Sequence, residues 1–268
     1  MKAASKLYVF LIMLFLYLPI LVLIVFSFNA SNSTSVFTGF SLQWYRELFQ
    51  DKETLQTLYN TLLVAVLSAV IATVLGTAAA LGIVRLSKWG QKLVMNVTNL
   101  PLMNPDIVTG VSMMLLFVFI MTLFGGSDVL GFWTILIAHI TFNLPYVILS
   151  VMPKLKQMDP HLVEAAQDLG CPQSKAFFKV ILPSIMPGII TGFIMAFTLS
   201  IDDFVISYFV SGPSFQTLPL RIYSMTKRRV EPSINALSTL IFVAVLVLLI
   251  IINLRQSAPH KPKKGATR

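Results

Sequence analysis

Three carboxylates stand in segments too apolar to hold a charge cheaply. Asp106 lies in the run N-P-D-I-V from Asn104 to Val108, and Asp202 and Asp203 lie in S-I-D-D-F-V, which Ser200 opens with a hydroxyl. A charged side chain at the centre of a membrane helix costs about 2.5–3.5 kcal/mol on insertion scales. No lysine or arginine stands at comparable depth to offset it. Carboxylates spread through an apolar chain suit the passage of a cation. The alternative is that each one bonds Asn, Ser or Tyr on a neighbouring helix. Adjacent helical side chains point about 100° apart, so Asp202 and Asp203 are not expected to face the same space equally, and one of them fits a helix contact instead.

Other reactive constellations are missing from the sequence. It holds neither a Walker-type phosphate loop nor a G-x-S-x-G elbow. His139, His161 and His260 are scattered without ligand spacing, and His139 fits a helix–helix hydrogen bond better than a proton relay. Cys171 is the single cysteine, which excludes a disulfide framework and a Cys-based zinc site. No enzyme activity and no cofactor are expected on this chain.

The elements that must position the acids follow from composition. The chain has 268 residues, 56% hydrophobic and 12% charged, against about a quarter charged in soluble domains. Its mean hydropathy is +0.81. The expected class is an all-α polytopic membrane protein. Six apolar runs are expected as spans: 7–28, 61–84, 93–124 broken by Pro101 and Pro105, 131–152, 184–210 and 236–254. The second carries a small-residue face from Gly76 to Gly82 for close helix packing. Between the first two runs, Trp44 and Tyr45 fit either an interfacial anchor or the mouth of a path. Arg46, Lys52, Arg221, Lys227, Arg228 and Arg229 fall in the segments assigned outside, and the rest of the 20 basic residues fall inside. That bias places both termini on the cytoplasmic side. The Lys227–Arg229 cluster departs from it and suits an acidic outer partner or anionic lipid. The basic tail 255–268 is expected to be disordered.

One polar interruption reads as a folded element, Glu164 to Pro183. Ala165, Ala166 and Leu169 favour a short amphipathic helix, and Gly170 with Cys171-Pro172 stops it. A second helix is expected over 173–182, ended by Pro183. This stretch resembles the EAA loop of ABC-importer permeases, with Glu164, Ala165, Ala166, Gly170, Leu182 and Pro183 in place and Val180 where the pattern has Ile. Together with N-P-D-I-V, S-I-D-D-F-V and L-P-L-R-I-Y-S-M, the chain is similar to the PotC-type permeases of spermidine/putrescine importers.

The resemblance implies a type I ABC-importer permease fold. It implies a first transmembrane helix and outer segment (1–58), a core of five spans (59–254) with the coupling loop at 153–183, and a tail. It implies four kinds of partner: an ABC ATPase dimer that carries the ATP and Mg, a second PotB-like permease, an extracytoplasmic PotD-like polyamine-binding protein, and membrane lipid. Nucleic acid is not among them. Carried over, Asp106, Asp202 and Asp203 would meet the polyamine, with Ser200 beside them. Trp44 and Tyr146 would supply aromatic faces, which suit a polycation with an aliphatic body. Glu164, Ala165, Ala166 and Gly170 would meet the ATPase. Two other readings stay open on the residues alone: a related ABC importer for another substrate, and a proton-coupled secondary transporter. ATP-dependent uptake separates the last of these.

Overall fold

Backbone amides in lipid have no water to bond, so apolar runs must close their hydrogen bonds internally, as helices. The computed structural model describes residues 2–31, 36–125, 130–159, 161–228 and 232–256. Among them no strand forms, and one isolated antiparallel bridge joins Asn29 to Phe40. The long helices are α1 (Lys2–Phe26), α3 (Lys52–Val84), α5 (Asp106–Leu123), α6 (Phe132–Gln157), α9 (Leu182–Asp202) and α12 (Pro232–Gln256). Shorter ones are α2 (Gln43–Gln50), α4 (Lys88–Met103), α7 (His161–Asp168), α8 (Gln173–Ala176), α10 (Val205–Val210) and α11 (Leu218–Arg228). Five described stretches are long and apolar enough to cross a membrane: 6–26, 52–84, 106–123, 132–157 and 173–202. The apolar stretch Pro232–Val247 within α12 is shorter. The cluster residue Arg229 and the tail from residue 257 onward lie outside the described residues.

The chain divides into two compact units, Met1–Leu55 with Ile222–Arg268, and Gln56–Arg221. In the first unit α12 packs against α1 and α2. The segment after α1 is folded back by its polar groups. Asn29 donates from its amide to the Val36 carbonyl at 2.9 Å, and Ser27 and Tyr45 share a hydrogen bond of 2.7 Å. Lys227 stands over the Tyr223 ring, 4.6 Å from its centroid.

In the second unit α6 and α9 form the main pair. Their approach depends on Gly188, where an added Cβ would stand 2.8 Å from the Ser150 carbonyl oxygen. Ala69, Ala72, Val147, Val151, Ile185 and Ala196 fill the core around this contact. From the small-residue face of α3, Gly76 meets Val147 closely, while Gly82 meets open space. Helix α5 packs on α10 through Gly110, whose Cβ would reach 2.9 Å from the Phe209 ring.

Two expected elements come out differently in part. The run 93–124 is broken as expected at Pro105, which forces Asn104 into an extended conformation, φ −80 and ψ 142, but Pro101 lies inside α4 and does not break it. The Gln173–Leu182 helix does not end at Pro183. It passes through a π turn, Phe177–Ile181, straight into α9. The Leu182 amide bonds the Phe177 carbonyl across the widened turn, so the ordinary ladder is already broken where Pro183, which brings no N–H, enters.

Candidate functional site

The fifth apolar run bends at its acids. Helix α9 ends with Asp202, Asp203 is extended (φ −64, ψ 117), and α10 starts two residues later. Neither proline nor glycine makes this break; the carboxylate of Asp203 does. It accepts from the Ile206 amide at 3.2 Å, from the Ser207 amide at 2.8 Å and from the Ser207 hydroxyl at 2.8 Å. A carboxylate aimed at the first free amides of a helix satisfies orphan donors and meets the positive end of the dipole. His139 of α6 adds its Nε2, 3.2 Å from Asp203 Oδ2. The cost of an unoffset charge, expected for all three acids, therefore does not apply to Asp203.

Asp202, one residue earlier, is exposed. The two neighbours thus divide the work: Asp203 holds the bend from within and Asp202 is left outward. Ser200 is buried, 3% exposed, with its hydroxyl between His139 Nδ1 and Ser68 Oγ, the latter at 2.9 Å. Ser68, His139 and Ser207 were not among the expected site residues. Their contacts span 132, 61 and 68 positions of sequence, and no local pattern carries such a signal.

Asp106 is exposed and opens α5 behind the break at Pro105, so its charge sits at a helix N-terminus. Tyr146 of α6 is half-buried, edge-on to Phe142 with ring centroids 5.4 Å apart. Asp106, Tyr146, Ser200, Asp202 and Asp203 all belong to one compact unit. Trp44 belongs to the other unit, buried, with its indole N–H donating to the Asn29 carbonyl at 2.6 Å.

The handle is a helix, an elbow and a second helix. Gly170 takes φ +82, its amide donates to the Gln167 carbonyl at 2.8 Å and the Cys171 amide to that of Ala166 at 3.0 Å. That pair of bonds is the Schellman closure of α7. Glu164 points outward with His161, Nδ1 to Oε2 3.0 Å. Ala165 is exposed and Ala166 half-buried, while Leu182 is half-buried and Pro183 exposed at the far end. Leu169 and Phe178 are left 90% and 64% exposed, an apolar surface unusual for a solvated link.

A cavity of about 350 Å³ lies apart from the acids, lined by Lys88, Lys92 and Lys156 with Gln91, Met95 and Asn96. Its three ammonium groups repel a cation. Among the described residues no group of His, Cys, Asp and Glu is arranged to hold a metal ion.

Residues 72–258 match the family described as binding-protein-dependent transport system inner membrane component. The chain is 40% identical over 222 residues to the spermidine/putrescine transport system permease protein PotC of Escherichia coli K12, covering 83% of this chain and 82% of that one. It is 43% identical over 218 residues to the putrescine transport system permease protein PotI of the same strain, covering 81% and 78%. Among solved structures, a bacterial ABC transporter involved in the import of the acidic polysaccharide alginate superposes with a TM-score of 0.74 at 18% identity, over 95% of this chain and 93% of the other. At that identity the likeness is one of fold.

Proposed function

We propose that this chain, which belongs to the family of binding-protein-dependent transport system inner membrane components, is the permease subunit of an ATP-driven polyamine importer. The observation that carries the substrate reading is the pair of outward carboxylates, Asp106 and Asp202, neither of which has a cationic partner among the described residues. They occur in a chain 40–43% identical to two polyamine permeases. Two dispersed acids attract an ammonium group at each end of a diamine without caging it, which a transporter needs for release. Tyr146 offers its ring to the methylene body. Ser200 and Asp203 serve the same path from behind, by fixing the bend that presents Asp202.

The handle supplies the coupling. Leu169 and Phe178 offer apolar knobs to a groove on an ATPase subunit, and Glu164 a polar contact at its rim. ATP and Mg belong to that ATPase dimer. A second, PotB-like permease completes the path, and a PotD-like binding protein delivers the polyamine. A structural neighbour of the same fold was solved with its substrate-bound periplasmic protein, which supports this last partner. The positive-inside bias puts both termini in the cytoplasm.

The test is uptake of labelled putrescine and spermidine in cells lacking their own importers, with the partner subunits supplied. Uptake that needs ATP and the binding protein supports the reading. Uptake that persists without ATP and follows the proton gradient overturns it in favour of a secondary transporter.

A further inference from the structure

We propose that His139 is a positioning residue: it keeps Asp203 turned into the helix packing and so leaves Asp202 as the acid presented to the path. The inference rests on Asp202 being a path residue, as read above.

His139 is 2% exposed and sits on α6, yet its two ring nitrogens serve both sides of the bend. Nδ1 meets Ser200 Oγ, in the last turn of α9. Nε2 meets Ser207 Oγ at 3.2 Å on α10, and Asp203 Oδ2 at 3.2 Å between the two helices. One proton arrangement satisfies every partner with a neutral ring. Ser207 gives its hydroxyl proton to Asp203 Oδ2, so both atoms facing Nε2 are acceptors and Nε2 carries the hydrogen. Nδ1 then accepts from Ser200, whose oxygen accepts from Ser68 at 2.9 Å in place of the longer 3.3 Å bond from Ser68 to the Ala65 carbonyl. Four donors converge on Asp203: two amides, one hydroxyl and the imidazole. Among the described residues the imidazole is the only basic side chain within 4 Å of that carboxylate.

Asp203 cannot turn toward a substrate without abandoning those donors. Asp202 is exposed, and among the described residues no side chain of a neighbouring helix ties it in this way. Its direction is inherited from the last turn of α9 and from the bend, and among the described residues His139 is the one side chain that hydrogen-bonds both helices from a third. Without the ring, the side-chain hydrogen bonds that cross the bend are reduced, among the described residues, to the cap that Asp203 itself supplies.

The experiment reads the exposure of position 202 directly, without a polyamine. Asp202→Cys is placed in a Cys171→Ser background, in membranes holding the whole importer, and its rate of reaction with a small cationic thiol reagent is measured. His139→Leu removes both ring nitrogens, His139→Gln keeps a donor toward Asp203, and Ser207→Ala removes a shared partner. The expected result is labelling slowed about tenfold by His139→Leu and kept near the parent rate by His139→Gln, within the range for directly coupled residues. Should His139→Leu fail to insert, Ser207→Ala carries the same test with the imidazole intact, and slower labelling supports the proposal. Equal rates in all backgrounds overturn it. The result is independent of the cargo. Slowed labelling in His139→Leu supports the positioning role even where putrescine leaves position 202 unprotected, an outcome that would count against the polyamine reading alone.

Discussion

The Cys171 amide donates to the Ala166 carbonyl at 3.0 Å, closing α7 across a glycine that stands at φ +82. Space does not select glycine here, because a Cβ at 170 would meet nothing within 4 Å. Backbone handedness selects it: the left-handed conformation costs an L-residue about 1–2 kcal/mol. Asparagine tolerates it and a β-branched side chain tolerates it least. In reconstituted importer, Gly170→Asn is expected to keep most of the putrescine-stimulated ATPase. Gly170→Ala is expected to lose part of it and Gly170→Val nearly all, with insertion unchanged in each. An unimpaired Gly170→Val would separate the elbow from coupling.

Glu164 and His161 form a pair on the same helix, both well exposed. Such pairs contribute about 0–1 kcal/mol, so the pair does not explain why a carboxylate is needed there. The contact with the ATPase proposed above would. His161→Ala is therefore expected to leave transport within about twofold, while Glu164→Lys abolishes it and leaves the permease in the membrane. Equal effects of the two substitutions would return Glu164 to a structural role on α7.

The handle was legible because its signal is local: a helix-stopping glycine, a proline and an alanine pair within twenty residues. Five of the six expected spans were legible from hydropathy, the stretch Pro232–Val247 being shorter, and the break at Asn104 was legible from Pro105. The bend at Asp203 was not, since no proline or glycine marks it. Its only trace is an aspartate four residues before Ser207, a capping spacing hidden inside an apolar run. That one of the two adjacent acids would serve a helix contact followed from helical geometry, but which one did not. His139 was legible as a helix–helix partner and no further, because its partners lie more than 60 positions away. Pro183 misled, because the sequence gives no warning of a π turn that lets the helix run on.

Asp106 opens α5, where its charge also favours the helix dipole by about 0.3–1 kcal/mol. Asp106→Asn is thus expected to lower thermal stability little. The larger effect falls on the substrate: with one of two dispersed carboxylates gone, the KM for putrescine uptake should rise about tenfold, the equivalent of about 1.4 kcal/mol. Asp106→Glu is expected to recover part of the loss. A wild-type KM in Asp106→Asn would remove this acid from the path.

Orientation rests on the basic residues, and it is tested by labelling intact cells with an impermeant thiol reagent, in the Cys171→Ser background. Lys264→Cys is expected to stay unlabelled until the membrane is opened. Ser214→Cys, between α10 and α11, is expected to react at once. The reverse pattern would invert the topology and, with it, the side on which the handle lies.

Asp202 and Asp203 give the sharpest separation, because adjacent residues with the same charge should fail in different ways. Asp203 satisfies two amides of α10 and the Ser207 hydroxyl, and it faces the imidazole of His139. Loss of a cap of this kind costs about 0.5–2 kcal/mol, and the His139 N–H would lose its charged acceptor as well. Asp203→Ala is expected to lower the melting temperature of the detergent-solubilised importer by several degrees and to lower the amount assembled. Asp203→Asn keeps one carbonyl acceptor and should fall between. Asp202 holds no element in place. Asp202→Asn is expected to melt and assemble like the parent while the KM for putrescine rises about tenfold. Thermal melting and initial-rate uptake on the same preparations decide the matter. If Asp202→Asn melts early and Asp203→Ala does not, the assignment of presented and structural acid is reversed. If neither alters uptake, the carboxylates of this bend are structural and the cation path runs elsewhere.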